Sequence, residues 1–386
     1  MKTKFVNKVI FFSVVLVLAA LCFTACSSFG TDDSNSQMIT TGEIGVIEDT
    51  DLGSVYMNLS IEEFESYGFT PGDSINIAFD NGFTLTDIPY YDGYYTRAGE
   101  ALACSYPGYE YVAIARTQGN SVWVESGSNA DTKIIVTLNE KGKYLATQEA
   151  FSLVYSNERD DFESNEIFSN FRALAGGNLK DNLFFRSASP IDDTNNRAEC
   201  TCNLLEQSGI EYVMNLADSA EEIEEFKSAQ TCDTSYYENM ISDGKVFLLN
   251  LMADYKADEY KTKVAASLKA VCEKKGTCLI HCLEGKDRTG FVCALILALA
   301  DATNDEIIDD YMITYENYYG VTLEKAPESY AVIKSVKAED YLYYLAGIDE
   351  SESLDGISFV SGAENYLKEG GLNDEDIAMI KNVICK

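Results

Sequence analysis

Between Gly45 and about Tyr144, apolar and β-branched residues come in short runs broken by glycine and turn residues. Ser54–Met57, Ser74–Phe79, Tyr111–Ala115, Ser121–Val124 and Lys133–Leu138 have the length and composition of strands, with turn signals at Asp80–Gly82 and Gln118–Asn120. The pattern predicts a small all-β barrel or sandwich. After about Phe151 the period changes. Arg197–Gln207 and Glu221–Ser228 read as helices with a strand, Tyr212–Leu216, between them, and Val246–Leu249 reads as a second strand. Ala257–Lys274 is helical, with apolar spacing at Val264, Leu268 and Val271. Thr277–Ile280 is a third strand, residues 289–301 an apolar helix, and 304–385 further helices. This alternation predicts an α/β domain, a central sheet flanked by helices.

The first residues follow another logic. Lys2, Lys4 and Lys8 precede an apolar run from Val9 to Ala25 that ends at Cys26, the layout of an export signal. Phe23-Thr24-Ala25-Cys26 is similar to the box of bacterial lipoprotein signals at the small residue and the cysteine, with Phe23 the less usual occupant. That resemblance implies lipidation at Cys26 and a protein anchored to a membrane outside the cytoplasm. Residues 26–42, rich in Ser, Gly, Thr, Asp and Asn after the cysteine, read as a flexible tether. The expected organisation is a signal peptide over 1–25, the tether, a β-domain over 43–150 and the α/β domain over 151–386.

The 386 residues carry 63 acidic and 29 basic side chains, a formal charge of −34, which argues against a nucleic-acid partner bound through its phosphates. Loss of residues 1–25 would remove three lysines and no acids, leaving −37. One histidine, His281, excludes multi-histidine metal sites and any triad that needs a second one. Of eleven cysteines, nine lie beyond the tether, scattered and without a CxxC pair, and read as mostly buried free thiols.

Candidate chemistry concentrates in one segment, His281-Cys282-Leu283-Glu284-Gly285-Lys286-Asp287-Arg288-Thr289-Gly290, between a buried strand and a helix start. A Walker loop is excluded, because Asp287 follows Gly285-Lys286 and Ile280 stands where its first glycine would be. Five residues between a cysteine and an arginine, ending at a helix N-terminus, can curl so that the main-chain N–H groups of Leu283, Glu284, Gly285 and Lys286 surround one tetrahedral oxyanion. The same donors and the helix dipole favour a Cys282 thiolate. Arg288 would hold two phosphoryl oxygens with its planar fork. Thr289, next to Gly290, would hydrogen-bond the sulfur, and His281 would fix the loop rather than move protons.

This HCx5RTG segment resembles the signature of the cysteine-dependent protein tyrosine phosphatase superfamily, and its GKDRTG form looks like the secreted bacterial tyrosine/lipid phosphatases within it. Asn170–Gly177 with Leu183–Ala188 is similar to that group's NFRDLGG…LFRSG opening, and Gly209–Leu216 to its GIxTVIDLR strand. Departures are Ala173 for the aspartate of the first motif, and Asn215 and Ala217 for the aspartate and arginine of DLR. The resemblance implies phosphomonoester hydrolysis through a phosphocysteine, on phosphotyrosine protein or phosphoinositide, without metal or cofactor. It also carries Arg186 over as a substrate-binding residue. A general acid is expected on a loop upstream of the cysteine. Asp254 is the first choice, Asp287 inside the loop the second, and Asp258 and Asp218 weaker ones. Around Gly53–Leu59, Thr70–Asp73, Gly99–Ser105 and Ala113–Ser121, the β-domain resembles the C-terminal barrel of S-adenosylmethionine hydroxide adenosyltransferases, whose N-terminal half has no counterpart here. Two rival readings are a phosphoryl-binding pseudo-phosphatase and a ligand-binding surface lipoprotein led by its β-domain.

Overall fold

A computed structural model describes residues 39–50, 52–229 and 231–386. The leader, Cys26 and most of the expected tether lie outside the described residues.

Seven strands, β1 (Ile44–Glu48), β2 (Val55–Ser60), β3 (Ser74–Phe79), β4 (Thr84–Tyr91), β5 (Ala101–Cys104), β6 (Tyr111–Arg116) and β7 (Lys133–Glu140), form a closed barrel in the order β1-β2-β6-β5-β4-β3-β7. Closure comes from β1, which pairs with β2 at Val46–Met57 and with β7 at Ile44–Ile134. All pairings are antiparallel except β4 with β5. The strands follow a period of two: Ile134 and Val136 are buried on β7 while Ile135 between them is 40% exposed. The barrel interior is filled by such side chains, with Phe64 stacked on Phe69 beneath it.

The expected strand at Ser121–Val124 is instead a short helix, Val122–Ser126. Local capping overrides β-branched propensity there. Ser121 Oγ accepts from the Val124 N–H, and Gly127 closes the turn at φ +64. Strands β1, β4 and β5 escaped the sequence pattern. In β4 the run contains Pro89 and a left-handed Asp87, and its register against β3 shifts between Ile75 and Ile77.

The second sheet has the order β11-β10-β12-β9-β8, built from β8 (Arg172–Ala173), β9 (Phe184–Ser187), β10 (Tyr212–Asn215), β11 (Val246–Leu248) and β12 (Cys278–His281). Its four main strands are parallel, and β8 is antiparallel to β9. Strand β9 was not expected, because Arg186 interrupts its apolar run; the side chain is fully buried and paired inside the protein. Central β12 is buried along its whole length, and the helix after it, Asp287–Leu299, is buried from Thr289 onward. A strand and helix enclosed on all sides fix the loop between them. The carboxyl ends of β9, β10, β11 and β12 meet at that loop, the edge where parallel sheets present ligand sites. All nine cysteines among the described residues are free, six of them buried.

Barrel and α/β domain belong to one compact unit. The barrel's Gln118 Nε2 donates to Ala253 O at 2.7 Å, Arg97 Nη2 to Ser335 Oγ at 2.8 Å, and Lys256 Nζ returns a bond to Ala98 O at 3.2 Å.

Candidate active site

Every carbonyl from Cys282 to Lys286 is engaged by a donor in the surrounding structure. His281 Nδ1 meets Cys282 O at 3.2 Å, Ser189 N donates to Leu283 O at 2.9 Å, and Tyr318 Oη to Glu284 O at 2.8 Å. Arg186 Nη2 donates to Gly285 O at 2.7 Å, and Gly290 N to Lys286 O at 2.8 Å. The N–H groups of Leu283, Glu284, Gly285 and Lys286 find no protein acceptor among the described residues. Such a set of unspent donors at a helix N-terminus is an anion cradle. Gly285, at φ +66, makes the curl possible: a Cβ there would stand 2.1 Å from Ser187 O. Cys282, 4% exposed, lies at its start.

Beneath the loop is a buried ionic group. Arg186 Nη1 lies 2.5 Å from Asp310 Oδ2, and Arg172 reaches the same residue through Nε to Oδ1 at 3.3 Å and Nη2 to the carbonyl at 2.6 Å. Burial opposes ionisation of Asp310, yet the two guanidiniums hold its carboxyl below the usual range. Asn170 Nδ2 adds a bond to Gly285 O at 3.2 Å. Arg186, with no exposure of its own, braces the loop through Gly285 O and is paired with Asp310. Neither Asp310 nor the bracing role of Asn170 was foreseen from sequence, although Asn170 and Arg172 lie in the quoted NFR stretch.

His281 is enclosed. Its Nδ1–H donates to Cys282 O, so Nε2 accepts from Tyr237 Oη at 3.0 Å. Burial, with Arg288 nearby, lowers its pKa to about 4, so the ring is neutral near pH 7 while it bonds the loop at Cys282 O. The chain of bonds continues from Asn215 Nδ2 to Tyr237 Oη at 3.0 Å and to Asp218 Oδ2 at 2.9 Å. Asn215, a departure from the family triplet, thus ties the β10 terminus to the histidine. Burial pushes Asp218 up to about 6.

Arg288 follows at the second position of the helix, with Nη1 donating to Leu251 O at 3.0 Å. Thr289 Oγ1 is buried without a partner, so the expected hydrogen bond to sulfur is not formed. Lys286 pairs with Glu284 at 2.8 Å and lies over the Tyr315 and Tyr319 rings. Burial lowers its pKa, but Asp287 and Glu284 outweigh that and raise it, so its charge is largely neutralised by those carboxylates.

Among the candidate acids, Asp287 is half exposed and accepts from Tyr311 Oη at 2.9 Å. Burial raises its pKa, while Lys286 and Lys337 hold it below the usual range. Asp254 is half-buried and accepts from Lys256 N at 2.9 Å. Both line one cleft of about 900 Å³ between the barrel and the α/β domain. Asp258 is exposed at the start of the helix Asp258–Lys274, away from that cleft's lining.

Cys282 and Arg288 thus flank the cradle at the carboxyl edge of a parallel sheet. The chain belongs to the tyrosine phosphatase family, whose model matches residues 165–386. A tyrosine-protein phosphatase of Nostoc commune is similar to it, 29% identical over 115 residues, covering 28% of this chain and 39% of that protein. The chain thus spans about two fifths of the length of this curated relative. The barrel lies outside the matched residues. No helix among the described residues is long and apolar enough to cross a membrane.

Proposed function

We propose that the chain hydrolyses phosphomonoesters, on phosphotyrosine protein or phosphoinositide, through a phosphocysteine. The observation that carries this reading is the ring of free N–H donors from Leu283 to Lys286, bounded by Cys282 and Arg288. The donors and the Arg288 fork bind the phosphoryl oxygens, with Thr289 and Gly290 in the first turn behind them. The Cys282 thiolate attacks phosphorus, an S–P bond forms, and the P–O bond to the alcohol breaks. Asp254, or Asp287, gives its proton to the leaving oxygen. Water then attacks the phosphocysteine, its proton goes to that carboxylate, and the S–P bond breaks to return the thiolate. The unpaired Thr289 hydroxyl is available to stabilise the sulfur as it leaves.

The same proposal takes residues 1–25 as a lipoprotein signal, Cys26 as the lipidated residue, 26–42 as the tether, 43–150 as the barrel domain and 151–386 as the phosphatase domain, held outside the cytoplasm at a membrane. Phosphate release from p-nitrophenyl phosphate and phosphotyrosine by wild type, absent from Cys282→Ser, with a phosphoryl adduct on Cys282 in acid-quenched wild type, is the expected result. Equal rates for the two proteins overturn the enzymatic reading. Loss of palmitate labelling in Cys26→Ser tests the anchor separately.

A further inference from the structure

The cleft that holds Asp254 and Asp287 has its opposite wall on the barrel, from the loops that include Asp92, Tyr94 and Gln118. That wall is fastened in place. Gln118 bonds Ala253, the residue before Asp254, Arg97 bonds Ser335, and Lys337 Nζ meets Tyr94 O at 3.5 Å. A volume of about 900 Å³, reached from the loop segment by Asp287 and lined by Asp254, is room for several residues of a ligand.

The chemistry of the lining is one-sided. Asp92, Asp254, Asp287 and Asp340 bring four carboxylates to the cleft. Of the cations, Arg116 is held bidentately by Glu125 at 2.7 Å through both nitrogens, and Lys337 is engaged with Asp287, whose carboxyl it helps to hold below the usual range. Two buried acceptors, Asp92 Oδ1 and Gln118 Oε1, have no hydrogen-bond partner. A buried acceptor left unpaired is costly and is relieved by a donor. Tyr94, Tyr95 and Phe151 add aromatic surface on the barrel side, suited to aliphatic stems and cations.

We propose that the barrel is a specificity wall: with the phosphatase domain it forms a subsite for the residues flanking phosphotyrosine in a peptide, and it prefers flanks that carry Lys or Arg. A peptide offers main-chain N–H groups and ammonium or guanidinium donors to Asp92 and Gln118. An inositol phosphate leaving group would bring further negative charge against four carboxylates, so the cleft disfavours it. This rests on the phosphatase reading above and deepens it.

The test uses the full chain in detergent and two phosphotyrosyl peptides that differ only in Lys or Glu flanks. The Lys peptide is expected to have the higher kcat/KM by about tenfold, the size of one well-placed charge contact. Asp92→Asn, which keeps the side-chain shape, should reduce that ratio several-fold, and added salt should narrow it in wild type. A ratio near one in wild type, a ratio unchanged in Asp92→Asn, or faster turnover of phosphoinositide vesicles than of both peptides overturns the proposal. If wild type releases no phosphate from p-nitrophenyl phosphate, the phosphatase reading itself has failed. Fluorescence polarisation of the same peptides on Cys282→Ser then decides the cleft: tighter binding of the Lys peptide supports it, and equal Kd values sink it.

Discussion

Asp310 Oδ2 lies 2.5 Å from Arg186 Nη1, and through Arg186 Nη2 the pair is joined to the carbonyl of Gly285 in the phosphate loop. The carboxylate compensates two buried guanidiniums, because Arg172 bonds it as well. Removing it strands both charges. Asp310→Asn is expected to destabilise the fold by about 3–5 kcal/mol, read as a lower urea midpoint, since an unpaired buried charge is worth that much. Asn retains the size of the side chain, so a loss much under 1 kcal/mol would show that the pair is not needed for the fold.

Gly285 combines a positive φ with no room for a methyl group, because Ser187 O and Ala188 N lie within 3 Å of where a Cβ would be. Gly285→Ala must move β9's end or uncurl the loop. Turnover should fall by at least about a hundredfold, on the scale of losing a preorganised oxyanion donor. Steady-state kinetics on p-nitrophenyl phosphate with circular dichroism to confirm folding would check it; wild-type rates would contradict the cradle.

His281 and Asp218 should make opposite contributions to stability against pH. The folded pKa of His281, about 4, lies below its ordinary 6.5, so its contribution is complete above pH 6.5 and is lost as pH falls toward 4. Asp218 is raised to about 6 from 3.8, so its contribution is complete below pH 3.8 and is lost as pH rises through 6. Each shift corresponds to roughly 3 kcal/mol at most, at about 1.4 kcal/mol per unit. Asp218→Asn should therefore gain stability over wild type at pH 7 and lose that gain near pH 4. Thermal melts over that range would read it, and a variant that parallels wild type at every pH would refute the assignment.

Asp254 and Asp287 face the same cleft but not the same surroundings. Two lysines hold Asp287 ionised, whereas Asp254 stands on the loop fastened by Gln118. Asp254→Asn is expected to lower kcat on phosphotyrosine by about 10²–10⁴, the usual value of a general acid, and much less on an ester with a good leaving group. Asp287→Asn should show a smaller loss with no leaving-group dependence. The reverse ranking would move the acid to Asp287.

The chemistry was legible because it is contiguous: His281 to Gly290 spell out nucleophile, curl, guanidinium and helix start in ten consecutive residues. The parallel strands β10, β11 and β12 were legible as well, since each is an apolar run between helices. What supports the loop was not. Arg186 breaks the run of β9, and the carboxylate that makes its burial tolerable is 124 residues away in a helix where it looks like any surface acid. Thr289 reads as a partner for sulfur only by position in the motif, and in the structure its hydroxyl is buried with no hydrogen-bond partner. Ser121–Val124 misled because a β-branched run of that length is also one helical turn when a serine and a glycine bracket it. Nor does any local pattern announce that Asp92 and Gln118 share a cleft with Asp254.

A ring of seven strands hydrogen-bonded to each other on both sides has no edge on which another chain's strand can be added. Change in such a body is confined to its rim, where the connecting turns carry no ladder bonds. If those turns face the leaving group, substitutions among them can retune which substrates enter while every atom of the cradle stays where it is. Selection could then act on recognition and on catalysis as separately heritable traits within one polypeptide.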